Sequence, residues 1–191
     1  MITYVSQGIA SQPSRIDVPA DALVVLIGAA GSGKSTFAGH HFVSDCVVAS
    51  DRLRAEIRGA PSDDVVFAEL HRQVQARLAG GRLAVVDATN TDWMWRAQLV
   101  ADARGYGRPA MAIVFNLAVD VCLARNAARA MTVPASIIRR QVADVTRDVE
   151  RLDLEGFATV HVLRSVGDVD AVTLEIEKGP VTRALGQGSV G

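Results

Sequence analysis

The chain has 191 residues, 49% hydrophobic and 21% charged, with a formal net charge of −1. That is enough for one filled α/β domain and too little for two with a substantial linker, and the composition excludes a disordered or fibrous protein. The near-zero charge excludes a protein that coats duplex nucleic acid through bulk electrostatics, while leaving room for a local basic groove.

Residues 1–20 have no clear period and contain Ser, Gln, Gly and Pro, which predicts a loosely ordered N-terminal segment. No run here or later reaches the ~18 apolar residues of a membrane span, and the polar start does not read as a signal peptide. A cytoplasmic protein with no membrane partner is expected. The domain is placed at residues 21–176. Ala22 to Ile27 is a continuous apolar run, the pattern of a strand buried on both faces of a parallel sheet. The pattern returns at Val47 to Ala49, Leu83 to Val86, Met111 to Phe115 and Val160 to Leu163. Between these runs the period is helical. Phe67, Leu70, Val74 and Leu78 share one face and Gly80-Gly81 supplies a stop. Pro134 opens a second helix with a seam of Ile138, Val142, Val145, Val149 and Leu152. Ala171 to Glu175 reads as a short edge strand or one turn of helix, and residues 177–191 as a flexible Gly-rich tail. Cys46 and Cys122 lack metal-type spacing and are expected reduced and buried.

Gly28-Ala29-Ala30-Gly31-Ser32-Gly33-Lys34-Ser35 matches G-x-x-x-x-G-K-[ST], and it follows a buried strand and precedes a helical stretch. The glycines Gly28, Gly31 and Gly33 let backbone N–H groups of the loop turn onto phosphates, and the helix opening toward Thr36 adds its N-terminal field. Ser32 lies within this loop. Lys34, one of only two lysines beside 18 arginines, is the expected ligand of the β- and γ-phosphates, and the Ser35 hydroxyl of Mg²⁺. The implied fold class is α/β, a three-layer P-loop NTPase-type parallel sheet with helices on both faces and a helical lid at about residues 125–152.

Asp51 falls directly after the second strand, at the carboxyl edge where open α/β sheets bind ligands. It reads either as a general base for an attacking hydroxyl or as the N-cap of a helix beginning at Arg52. Arg54, one turn on, is a phosphate ligand or a solvated surface charge. Asp87 ends the third strand in the manner of a Walker B acid, and with Asn90 it reads alternatively as a capping turn into the helix of Trp93, Trp95 and Arg96. Those tryptophans either stack on bases or belong partly to the core. Arg125 and Arg129, four apart, are candidates for a lid over ATP, against a merely solvated basic helix. Arg139, Arg140, Arg147 and Arg151 decorate the next helix and would line a groove, diluted by Asp144 and Asp148.

From Val18 to Glu175 this set resembles the kinase module of the bacterial polynucleotide kinase-phosphatases, P-loop kinases that heal nucleic-acid ends. The likeness is carried by Leu23 to Gly28, Gly31 to Ala38, Ser50-Asp51 with Arg54, and Val85 to Asn90. It continues through Val114 to Leu117, Val121-Cys122 with Arg125-Asn126, Ile138-Arg139, and Glu155 to Phe157. The resemblance implies transfer of the γ-phosphate of ATP or another NTP to the 5′-hydroxyl of single-stranded or end-frayed RNA or DNA. It also implies that Asp51 is the general base, Arg54 assists at the phosphate, and Arg125 contacts ATP from the lid. A phosphatase or ligase module is the implied partner. The family's further lid arginine falls at Thr132 here, so Arg129, Arg139 or Arg140 would have to replace it. Two other readings stand beside this one: a P-loop kinase of a sugar, nucleoside or antibiotic, and a non-catalytic nucleotide-binding module.

Overall fold

The computed structural model describes residues 15–177. The elements in chain order are β1 (Arg15–Val18), β2 (Leu23–Gly28), α1 (Lys34–His41), β3 (Val47–Ala49), α2 (Ser50–Glu56), α3 (Asp63–Ala79) and β4 (Ala84–Asp87). They continue with α4 (Trp93–Gly105), β5 (Ala110–Phe115), α5 (Val119–Ala127), α6 (Ala135–Asp148), β6 (Thr159–Leu163), α7 (Val166–Asp170) and β7 (Thr173–Ile176). Five strands form one parallel sheet in the order β3-β4-β2-β5-β6. β2 is central, which is why Leu23, Val24, Val25 and Leu26 are fully buried and no polar residue interrupts them.

The alternation of β2 sends Leu23, Val25 and Ile27 into one core and Val24 and Leu26 into the other. The first core receives Val66, Leu70, Val74 and Leu78 of α3 with Leu99, Val100 and Ala103 of α4. The second receives Phe37 and Ala38 of α1 with Cys122 of α5. Each such Leu, Val or Phe contributes roughly 1.5–3 kcal/mol over its exposed state. Both cysteines are buried and free.

Two expectations change. Residues 15–18 belong to no loose segment: β1 pairs in parallel with β7, and Ile16 and Val18 are fully buried in the second core. Four residues are too few to show a period, and their partner lies at the other end of the chain, so no local signal marks them. The rest of the expected loose segment, residues 1–14, lies outside the described residues, as does the expected tail from 178 onward. The seam from Ile138 to Leu152 is also not one helix against one face. α6 stops at Asp148, Ile138 packs in the second core, and Val145 and Val149 pack in the first. α6 therefore crosses from one face of the sheet to the other beside β2. No helix among the described residues is long and apolar enough to cross a membrane.

Candidate functional site

The loop from β2 to α1 is shaped by its glycines. Gly31 and Gly33 have φ of 79° and 101°, which L side chains rarely adopt. A Cβ on Gly31 would also strike the Cys122 carbonyl oxygen, so α5 packs directly on the loop. At the first turn of α1 the N–H groups of Gly33, Lys34, Ser35 and Thr36 donate to no described residue. These are the orphan amides a helix start leaves, and they form a cradle for an anion.

Lys34 is only 7% exposed and folds back over its own loop. Its ammonium donates to the carbonyls of Gly28 at 2.8 Å and Ala29 at 2.9 Å, and to Ser32 Oγ at 3.3 Å. Burial lowers its pKa from 10.5 to about 8, with the negative charge of Asp87 opposing the shift. A buried ammonium satisfied only by neutral oxygens has a poor environment for its charge, and a phosphate beside it would improve that environment. The residues present thus fit a nucleotide triphosphate.

β3 and β4 end side by side, with Ala49 opposite Asp87, and β2 runs alongside with Leu26 opposite Asp87. Asp51 and Asp87 therefore stand on the carboxyl edge together with the loop. Asp51 is not a helix cap. α2 begins at Ser50, its N-cap is Ala49 and no side chain caps it, so Asp51 sits inside the first turn. Its side chain is 79% exposed and pairs with Arg129, Nη2 to Oδ2 at 3.4 Å. Nor do Asp87 and Asn90 cap α4: Asp92 does, accepting from the Met94 N–H at 2.9 Å. Asn90 instead takes a left-handed φ of 49°, tolerable for Asn, and donates from Nδ2 to the Leu26 carbonyl at 2.7 Å. With Gly28 N–H donating to the Thr89 carbonyl at 2.9 Å, this ties the segment after β4 to the phosphate loop.

The arginines divide. Arg125 donates from Nη1 to the Ser32 carbonyl at 3.1 Å, so α5 reaches the loop, and Arg129 reaches Asp51. Arg54 is drawn elsewhere: it pairs with Asp63 and donates to the Pro61 carbonyl at 3.1 Å, bracing α2 against the start of α3. Arg147 is spent on Asp144 and Asp148, at 2.8 and 2.9 Å, which removes it from any free basic groove on α6. A cavity of about 580 Å³ lined by Arg52, Arg72, Arg77 and Arg82 does exist. It lies against Val47 at the start of β3, and none of the candidate catalytic, nucleotide or metal residues lines it.

Trp95 stacks on Phe67, ring centroids 4.3 Å apart and planes 15° apart, so it belongs with the packing. Trp93 is 62% exposed. Among the described residues no group of three or more His, Cys, Asp or Glu side chains could hold a metal. Two side chains of consequence escaped the sequence reading. Arg96 is 1% exposed; it pairs with Glu155 through Nε at 2.7 Å and Nη2 at 2.6 Å, with Asp148 at 3.0 Å, and with the Asn90 carbonyl at 3.0 Å. It fastens the loop after β4 to α6 and to the 3-10 turn Leu152–Glu155. Gln141 of α6 accepts the Ala30 N–H of the phosphate loop at 2.9 Å. Its only sequence signal is its place between Ile138 and Val145 on the helix.

A chain of the Pnkp1/Rnl/Hen1 RNA repair complex is similar at 25% identity and a TM-score of 0.59, over 68% of this chain and 45% of that chain. This chain thus spans less than half the length of that relative. A gluconokinase from Sinorhizobium meliloti 1021 is similar at 18% identity and a TM-score of 0.52, over 80% of this chain and 87% of that one. Kti12 of Chaetomium thermophilum, in complex with ADP-AlF3, is similar at 15% identity and a TM-score of 0.50, over 74% and 88%. At these identities the last two speak for the fold alone. No curated protein matches the sequence at a significant level. The fold is that of the P-loop kinases, and the resemblance to the polynucleotide kinase module holds in three dimensions at low identity. Residues 23–152 match the AAA domain family AAA_33, and the chain belongs to that family.

Proposed function

We propose that the chain is a polynucleotide 5′-hydroxyl kinase, moving the γ-phosphate of ATP or another NTP onto the 5′-OH end of RNA or DNA. The observation that carries the reading is Asp51: an exposed carboxylate, not used as a helix cap, standing on the carboxyl edge with the phosphate loop and paired with a lid arginine. A helix cap would need its oxygens turned to backbone N–H groups, whereas this carboxylate is available to a hydroxyl.

In this reading Gly28 to Thr36 hold the triphosphate, with the orphan amides and Lys34 on its oxygens. Ser35 and Asp87 would hold Mg²⁺, which would supply charge neutralisation on the triphosphate. Asp51 accepts the proton of the 5′-hydroxyl as its oxygen forms the new bond to phosphorus. The bond from phosphorus to the β–γ bridging oxygen breaks, and the nucleoside diphosphate leaves. Arg125 and Arg129 neutralise charge on the migrating group, and Arg129 exchanges Asp51 for phosphate as it does so. Arg54 assists on the acceptor side once freed from Asp63.

The polynucleotide acceptor is supported by the resemblance and by the likeness to the RNA repair chain. It is also supported by exposure: the Asp51 side chain is 79% exposed. That suits the end of a polymer arriving from solvent better than a small molecule sealed from water. A phosphatase or ligase partner and a cytoplasmic setting complete the proposal. The test incubates the protein with γ-labelled ATP, Mg²⁺ and oligonucleotides bearing 5′-OH or 5′-phosphate ends, alongside gluconate and nucleosides. Label confined to 5′-OH oligonucleotides is expected, and label on a small acceptor alone would replace this reading with a small-molecule kinase.

A further inference from the structure

We propose that Gln141 is a specificity residue for the nucleotide, one that distinguishes a triphosphate from a diphosphate by donating a hydrogen bond to the terminal phosphate. The proposal rests on the reading of Gly28 to Thr36 as the triphosphate loop.

α6 has a core residue of one face at Ile138 and of the other at Val145, and Gln141 lies midway between them. Where the helix crosses beside β2, its side chain is therefore set over the end of the sheet. There Gln141 Oε1 accepts the Ala30 N–H at 2.9 Å, joining positions 111 residues apart. Ala30 belongs to the limb of the loop that leaves β2, opposite the orphan amides on the α1 limb. The bond also settles which end of the carboxamide faces where. With its oxygen on the loop, the Nε2 group is left over, and it hydrogen-bonds to no described residue.

A carboxamide carries one acceptor and two donors at a fixed separation. Here the acceptor is anchored to the backbone, so the donors are held within a few ångströms of the loop at no further cost in side-chain entropy. A neutral donor adds little general attraction for polyphosphate, unlike Lys34 or Arg125. It contributes where an oxygen falls within hydrogen-bond distance. The α1 limb would take the inner phosphates, so the terminal phosphate is the group that comes to the β2 limb and to Gln141. A diphosphate leaves this donor unused.

Equilibrium affinities for ATP and ADP, each with Mg²⁺ and without any acceptor, test the assignment in the intact protein and in Gln141→Leu and Gln141→Glu. Leu removes both amide groups. Glu keeps an oxygen for the Ala30 N–H but sets a negative charge where the donor was. In Gln141→Leu the affinity for ATP should fall about tenfold or more, as expected for a hydrogen bond to a charged group, while ADP stays within about twofold. In Gln141→Glu the loss for ATP should exceed that in Leu, again with ADP nearly unchanged. Retained ADP binding also reports that each variant is folded, and Glu serves if Leu does not fold. Equal losses for ATP and ADP, or no loss for either, would overturn the proposal and leave Gln141 as a brace of the loop. If the unaltered protein bound neither nucleotide, the triphosphate loop itself would fall, a result separable from a failure of Gln141 alone.

Discussion

The Arg129 guanidinium rests against the Asp51 carboxylate, Nη2 to Oδ2 at 3.4 Å, bringing together positions 78 residues apart in the chain. The pair is open to solvent on both sides, Arg129 at 40% and Asp51 at 79%, so it adds at most about 1 kcal/mol to stability. Its interest is chemical, because it places a cation that suits a migrating phosphate beside a carboxylate that suits an attacking hydroxyl.

Asp51→Asn should therefore change the melting temperature little, since neither a cap nor a strong ion pair is lost. Transfer to a 5′-hydroxyl should fall by about 100-fold or more, because an amide cannot accept the proton. Nucleotide affinity should persist. Near-normal phosphorylation by the Asn variant would remove Asp51 from the chemistry.

The depressed Lys34 pKa gives a pH signature of definite sign. Between about 8 and its ordinary 10.5 the unfolded chain holds a proton that the folded one has released. Lys34 thus costs stability below about pH 8, and that cost is relieved as pH rises toward 10.5. A triphosphate would favour the charged form, so binding above pH 8 should take up a proton at Lys34. Calorimetry at pH 8.5 in buffers of different ionisation heat should reveal that uptake, and Lys34→Met should abolish it together with most of the nucleotide affinity. Identical proton uptake in the Met variant would contradict the assignment.

Arg125→Ala should lower turnover more than it weakens acceptor binding, as its Nη1 reaches the Ser32 carbonyl of the loop and not the acceptor side. The readout is kcat against the KM of a 5′-OH oligonucleotide at saturating ATP. A pure KM effect would reassign Arg125 to the acceptor.

Arg96→Ala should be among the most destabilising single changes, by roughly 3–5 kcal/mol, since it leaves the Glu155 carboxylate without its partner and Asp148 with Arg147 alone, at a site where the arginine is 1% exposed. A change confined to about 0.5 kcal/mol in denaturant unfolding would show that water takes over the role.

Much of this protein is determined locally. The run Leu23 to Ile27 is apolar without interruption because a central parallel strand meets packed helices on both faces, and G-x-x-x-x-G-K-S directly after it makes a phosphate loop in any setting that offers a strand and a helix. The α3 face of Leu70, Val74 and Leu78 likewise follows from period alone. What the sequence left open were choices between two physically reasonable roles for one side chain: Asp51 as base or cap, Asp87 and Asn90 as edge residues or cap. These depend on where a helix starts to within one residue, and Ala49 and Asp92 turned out to hold the capping positions. Only tertiary structure could decide the rest. The pairing of β1 with β7, the passage of α6 from one core to the other, Arg96 in its carboxylate cage and Gln141 on Ala30 all join residues tens to more than a hundred positions apart. Such contacts leave no periodic trace, because the energy that selects them comes from groups that meet only after the sheet has formed.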